Sequence, residues 1–148
     1  MSEQPRKQRK RFYKAPLHIK RKSISSHLAS ELIIRYKRRA MPVIEGDTVK
    51  IMRGNFAGQS GKVRKVNVKK GTVEIEGVTI AKADGKKVPR PIHASNLLIT
   101  KLNLADPWRR RKLKEKLSEE EKMKLEKEVE EETKEEKEEV EEETHGSS

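Results

Sequence analysis

The side chains of this chain that could do acid–base or metal chemistry are few. Histidines stand at 18, 27, 93 and 145, and no two fall at a metal-ligand spacing. There is no cysteine, which excludes disulfide frameworks, thiolate nucleophiles and cysteine zinc sites. The carboxylates before residue 118 are scattered: Glu3, Glu31, Glu45, Asp47, Glu74, Glu76, Asp84, Asp106 and Glu115. Asp47 is expected to fix a turn or pair with a nearby cation. His93 and Ser95 resemble a nucleophile pair, but two residues apart on one segment is weak support for catalysis. The segment GDTVKIMRGNFAGQSGKVRKV (46–66) holds three closely spaced glycines and invites comparison with phosphate loops. A Walker loop needs Gly, four residues, Gly-Lys, then Ser or Thr. Here Phe56 takes the place of the first glycine and Val63 follows Gly61-Lys62, so the match fails twice. The dinucleotide fingerprint fails as well, because the glycine spacing is wrong and the loop leads into a strand. No enzyme, metal or cofactor is expected. The remaining chemistry is that of a binding loop: Arg53, Asn55 and Lys62 facing outward, with Phe56 free to stack or to cover the end of a fold.

Charge says what such a loop would bind. The 148 residues carry 36 Lys/Arg against 24 acids, a net +12; 41% are charged and 32% hydrophobic. Ordinary domains run near 25% charged and roughly 45–50% apolar. Residues 1–117 hold 31 Lys/Arg against 9 acids, and residues 118–148 reverse the sign with 5 against 15. A field of +22 attracts polyanions strongly. The longest aliphatic runs are three residues, Leu32-Ile33-Ile34 and Leu97-Leu98-Ile99, so no membrane span is expected. The basic N-terminus lacks a following apolar stretch, so no secretory signal is expected either. Nucleic acid is the natural partner, not a membrane or a small-molecule substrate.

Four regions position these residues. Residues 1–14 read as a basic arm, disordered alone, whose Arg6, Lys7, Arg9, Lys10, Arg11 and Lys14 would track phosphates. Phe12 and Tyr13 either dock on the neighbouring domain or stack on bases. Residues 15–40 read as two short helices: one opened by Pro16 and carrying Lys20, Arg21 and Lys22, then one capped from the serines at 23, 25 and 26. Leu28, Leu32 and Tyr36 would form the packed face of the second, with Arg38 and Arg39 exposed and Pro42 ending it. The N-terminal extension is thus placed at 1–42 and a small β-barrel at 43–105. In the latter Val49/Ile51, Val73/Ile75, Val78/Ile80 and Leu97/Ile99 alternate, glycine turns separate the strands, and Val63, Val66 and Val68 skip a beat that implies a bulge. Such a barrel, at about 60 residues, buries only roughly 60% of its surface and is marginal by itself. Residues 106–117 read as a basic helix opened by Pro107, with Arg109, Arg110 and an exposed or anchoring Trp108. Residues 118–148 read as an acidic, low-complexity tail, a frayed helix or disordered, with a capping-box pattern at Ser118 and Glu121.

Strand, basic glycine loop, strand resembles the KOW motif. The flanks narrow the resemblance: RKQRKRFYKAPLHIKRKSISS, ELIIRYKRRAMPV, the loop, then IEGVTIAKADGKKVPRPIHASNLLIT occur in one order. That order resembles the archaeal and eukaryotic branch of the universal large-subunit ribosomal protein twenty-four family over roughly residues 5–105, and loosely to 117. The chain departs from the family at His27 and Ala94, where proline is frequent, and at Ala29, where a capping serine is. The resemblance implies a mainly β, SH3-like barrel in a cytoplasmic ribosome. It also implies binding to 23S-type rRNA, contact with neighbouring large-subunit proteins, early action in subunit assembly and a place near the nascent-chain exit and its factors. By the same resemblance Arg90, His93 and Ser95 shape a loop touching RNA, and Lys65 joins Arg53, Asn55, Phe56 and Lys62 on the KOW side.

Two other classes draw on the same residues. A KOW transcription elongation factor, by resemblance, carries an α/β domain ahead of its KOW module, which residues 1–45 do not supply. A chaperone-like nucleic-acid-binding protein would act through the acidic tail, which the opposite charges of the two ends make thinkable.

Overall fold

The computed structural model describes residues 2–115, 117–119 and 121–127. The chain divides into two compact units, residues 1–103 and 104–148. The first begins with two helices, α1 (Pro5–Lys14) and α2 (Leu17–Ser23). The arm expected to lack structure is therefore helical from Pro5. Proline opens α1 and Lys, Arg and Gln, all good helix formers, continue it, but the helix buries no residue.

The segment read as a second helix is different. Ser25–Leu28 forms strand β1, Ser30–Tyr36 the short helix α3, and Ala40–Pro42 strand β2. The serines at 25 and 26 are thus strand residues, not caps. Leu28 and Tyr36 are buried, as their spacing suggests, but from a strand and a helix respectively. Ile34 is left 78% exposed. Ala29 occupies the N-cap of α3 and makes no side-chain cap bond. Lys37 ends the helix in the left-handed region at φ 51°.

The remaining strands are β3 (Thr48–Ile51), β4 (Ser60–Asn67), β5 (Thr72–Ile75), β6 (Thr79–Ala81), β7 (Lys87–Pro89), β8 (Ile92–His93) and β9 (Leu97–Lys101), with α4 (Pro107–Lys114) in the second unit. Seven strands form one sheet in the order β2-β1-β9-β3-β4-β5-β8, and β6 and β7 pair as a separate hairpin. This is the mainly β, barrel-like architecture expected. Strand β4 serves two halves. Its first residues pair with β3 and its later ones with β5, with a register shift between Val63 and Lys65 where the skipped beat implies a bulge. Strand β1 runs parallel to β9, with His27 opposite Leu98 and Leu28 opposite Ile99.

The core is what the alternation specifies: Val49, Ile51, Val63, Val73, Ile75, Leu97 and Ile99 are buried, joined by Ile24, Leu28, Met41 and Val43 from the N-terminal segment. Ile80 departs from the pattern and is exposed. Asp47 is fully buried and does fix a turn. One carboxylate oxygen accepts from the Ile44 N–H at 3.0 Å, the other from the Asn103 N–H at 2.8 Å. It therefore fastens the entry to β3 to the chain leaving β9. Gly61 is required for a different reason: a Cβ there would meet the Glu76 carbonyl oxygen at 2.6 Å and Ile75 Cγ2 at 2.8 Å.

In the second unit Asp106 caps α4 by accepting from the Trp108 N–H at 2.9 Å, and Pro107 takes the first turn. Leu113, Leu117 and Leu125 are buried. Ser118 and Glu121 form the capping box, the Ser118 N–H donating to Glu121 Oε2 at 2.9 Å and the Glu121 N–H to Ser118 Oγ at 3.5 Å. The backbone is helical over 121–127, and Lys114 pairs with Glu126. The rest of the acidic tail lies outside the described residues.

Candidate nucleic-acid interface

The binding loop is built by β3 and β4. After Ile51 the backbone turns out through Gly54 at φ 98°, a conformation that side chains disfavour. It closes on itself: Ala57 N–H donates to the Gly54 carbonyl at 3.1 Å, Gly58 N–H to Ile51 at 2.8 Å and Ile51 N–H to Gln59 at 2.8 Å. The loop is also tied to a second element, the 3-10 turn Ala94–Asn96, because the Met52 N–H donates to the Asn96 carbonyl at 2.8 Å. That turn is itself braced from β1, where buried Ser26 Oγ donates to the Ala94 carbonyl at 2.5 Å.

The two elements enclose an open depression of about 370 Å³, lined by Arg53, Gly54, Asn55, Phe56, Ile80, Arg90, Pro91, Ile92, His93 and Asn96. Five residues singled out from sequence, Arg53, Asn55, Phe56, Arg90 and His93, thus converge on one site from positions nearly forty residues apart. Phe56 is half-buried, while Arg53, Asn55, Arg90 and His93 are exposed. Among the described residues Arg53 and Arg90 make no ion pair with a carboxylate. Arg90 is held by its backbone, its N–H donating to Val78 at 3.0 Å. Ile80, Pro91, Ile92 and Asn96 were not anticipated. Ile80 reads from its alternation as a core residue, and no local signal marks Asn96.

His93 and Ser95 do approach, with Nδ1 and Oγ 2.9 Å apart. The Ser95 N–H also donates to His93 Nδ1 at 3.3 Å, which makes the histidine the cap of the 3-10 turn. The pair explains local geometry without a nucleophile. Among the described residues no group of His, Asp and Glu is arranged to hold a metal ion, and no helix is long and apolar enough to cross a membrane.

The other anticipated residues lie outside the depression. Lys62 and Lys65 are exposed on β4. On α1, Arg6, Lys7, Arg9, Lys10, Arg11 and Lys14 are all exposed. Phe12 and Tyr13 are exposed too, their rings meeting edge to face at 6.2 Å. Neither docks into the core. Lys20 Nζ donates to the Tyr13 carbonyl at 3.2 Å, joining α2 to the end of α1, while Arg21 and Lys22 are exposed. Arg39 is exposed and Arg38 half-buried. In the second unit Arg110 is half-buried, and Arg109, expected at an RNA contact, is buried at 5% exposure. Trp108 is 68% exposed with the Arg111 guanidinium 5.7 Å from its ring centroid, a cation–π contact on an outward-facing side chain.

Taken together, the first unit offers exposed cations, exposed aromatic rings and one shaped cationic depression, on a segment that holds 25 Lys/Arg against 7 acids. These are the side-chain types that suit a phosphate backbone with bases attached. Comparison with known proteins finds relatives. The sequence pattern of the eukaryotic L26 and archaeal L24 ribosomal proteins matches residues 2–116. The large ribosomal subunit protein uL24 of Methanocella arvoryzae is 56% identical over 108 residues, 73% of this chain and 87% of that one. Those of Methanosarcina barkeri and Methanothrix thermoacetophila are 48% and 49% identical over 114 and 109 residues, which cover 77% and 74% of this chain and 98% and 94% of theirs. The family match ends where the acidic tail begins.

Proposed function

Because this chain belongs to the family of the eukaryotic L26 and archaeal L24 ribosomal proteins, we propose that it is a structural constituent of the large ribosomal subunit that binds 23S-type rRNA. It acts early in subunit assembly, lies near the nascent-polypeptide exit, and touches neighbouring large-subunit proteins and factors at that exit. The role is architectural, with no catalytic step. The observation that carries the rRNA reading is the convergence of Arg53 and Phe56, on a loop whose backbone is pinned at both ends, with Arg90 from a distant segment in one depression. Helices α1 and α2 add a second cationic surface that needs a polyanion to neutralise it.

The test is competitive incorporation. The full chain and a variant with Arg53→Glu and Lys62→Glu compete for assembly into large subunits, and occupancy is read by mass spectrometry. The variant is expected to fold normally, since both side chains are exposed, and to be under-represented in subunits. Equal occupancy would reject the loop as an rRNA contact, and failure of both chains to sediment with large subunits would reject the ribosomal reading.

A further inference from the structure

We propose that the depression between the 53–56 loop and the 90–96 segment seats one unstacked RNA base, with its neighbouring phosphates on Arg53 and Arg90. This inference rests on the RNA-binding reading above and specifies what the site takes. Its volume of about 370 Å³ lies at the small end of ligand pockets, the scale of a single nucleotide and not of a helix groove. Its walls divide by chemistry. Phe56 and Ile80 supply apolar surface, Asn55 and Asn96 supply amides that each donate and accept, and the two arginines supply positive charge at the rim. A site for phosphate alone has no use for the apolar wall, and a site for an apolar peptide has no use for two guanidinium groups that, among the described residues, have no carboxylate partner. A base joined to a phosphate chain uses all three: a face to lie against, an edge to hydrogen-bond, and flanking anions.

Two further observations support the assignment. Ile80 breaks the burial alternation of its segment and lines the depression instead of entering the core, leaving an exposed aliphatic side chain against which the face of a base can lie. The frame is also fixed in advance: the Met52–Asn96 hydrogen bond joins the two lips, and the Ser26–Ala94 bond braces the second of them from β1. The cations of α1, by contrast, stand on a helix with no buried residue and have no such frame.

The experiment compares adenosine 5′-monophosphate with ribose 5-phosphate, which carries the same phosphate but no base. Both are titrated into the ¹⁵N-labelled full chain, following backbone and side-chain amide shifts. The nucleotide is expected to bind about tenfold more tightly, the low end of what stacking one base contributes. The Asn55 and Asn96 side-chain amides should shift with the nucleotide alone. Asn55→Ala and Phe56→Leu should bring the affinity ratio toward unity while the remaining amide spectrum stays folded. Equal affinities for the two ligands overturn the proposal, as does a nucleotide response centred on Phe12 and Tyr13. If rRNA binding persists in either case, the base pocket alone is rejected; if neither ligand nor rRNA binds, the RNA reading falls with it.

Discussion

Helix α1 and the barrel end are both cationic, yet they differ in what holds their charges. On α1 six Lys/Arg occupy ten residues with nothing buried beneath them. At the barrel end Arg53 and Phe56, on a loop whose backbone is hydrogen-bonded to itself and to a second turn, line one depression with Arg90. The first surface concentrates charge and the second concentrates geometry. Electrostatic attraction to phosphate needs only proximity, so a bare helix suffices for affinity. Discrimination needs partners at fixed positions, which only a packed frame supplies. On the RNA-binding reading proposed above, one chain would thus separate how strongly it binds from what it prefers.

That separation can be broken experimentally, and the largest effect should come from removing charge without frame. Deleting residues 2–14 removes six cations and should make the slope of log K against log salt shallower by up to about 4, at roughly 0.7 per phosphate on single-stranded RNA. The thermal midpoint should barely move, because α1 buries no residue. An unchanged slope would show that α1 is not on the RNA. The converse change attacks frame without charge at the interface. Asp47→Ala leaves the Ile44 and Asn103 N–H groups without their acceptor in a buried site and should cost about 3 kcal/mol of stability in denaturant titration.

A smaller effect of opposite sign sharpens the same contrast. Ala29→Ser supplies the cap that α3 lacks, at a backbone already extended (φ −60°, ψ 154°), and should stabilise the first unit by about 1 kcal/mol without altering RNA affinity. The smallest effect lies in the second unit. The hydrogen bond from Lys114, with its charge, holds the Glu126 carboxyl below the usual glutamate range. A depressed carboxyl contributes stability above its unfolded value and loses it as pH falls through the folded one. Helix content over 121–127, followed by carbon-detected NMR, should therefore decline slightly on acidification below the normal glutamate range, and Lys114→Met should abolish that dependence.

The parts of this fold that could be read from sequence are those whose causes are local. Val49 and Ile51, Val73 and Ile75, Leu97 and Ile99 alternate because one face of each strand is buried. The bulge after Val63, the turn at Gly54, the helix start at Pro107 and the Ser118–Glu121 box each rest on residues within a few positions of one another. Strands β1 and β2 escaped because their causes are distant. Ser25 and Ser26 have the composition of helix caps, and it takes pairing with β2, the β9 partner of the following residues and the Ala94 carbonyl to make Ser26 a strand residue with a buried hydroxyl. Helix α1 escaped for the opposite reason: with no apolar face, only propensity favours it, and propensity is a weak signal. At the candidate site, Arg53, Asn55 and Phe56 were legible as an outward loop, and Arg90 and His93 through the family resemblance. That they share one depression with Ile80 and Asn96 depends on the hairpin β6–β7 and the 94–96 turn, whose placement no short window contains.

The parallel pairing of β1 with β9 carries a consequence for how the chain is made. His27 and Leu98 are joined across 71 residues, so the partner of an early strand is among the last parts of the barrel to be synthesised. Such closure has an entropic cost that local contacts cannot defray, and folding dominated by distant pairs is slow. While the chain emerges, β1 and β2 can form only their own antiparallel ribbon, and Leu28 has no Ile99 alongside it. Chains that terminate before about residue 97 are left with an open strand edge and an exposed core residue, which marks them for aggregation or degradation. Completion of the sheet is in effect a length check: only a polypeptide that has reached Lys101 can bury the strand it began with.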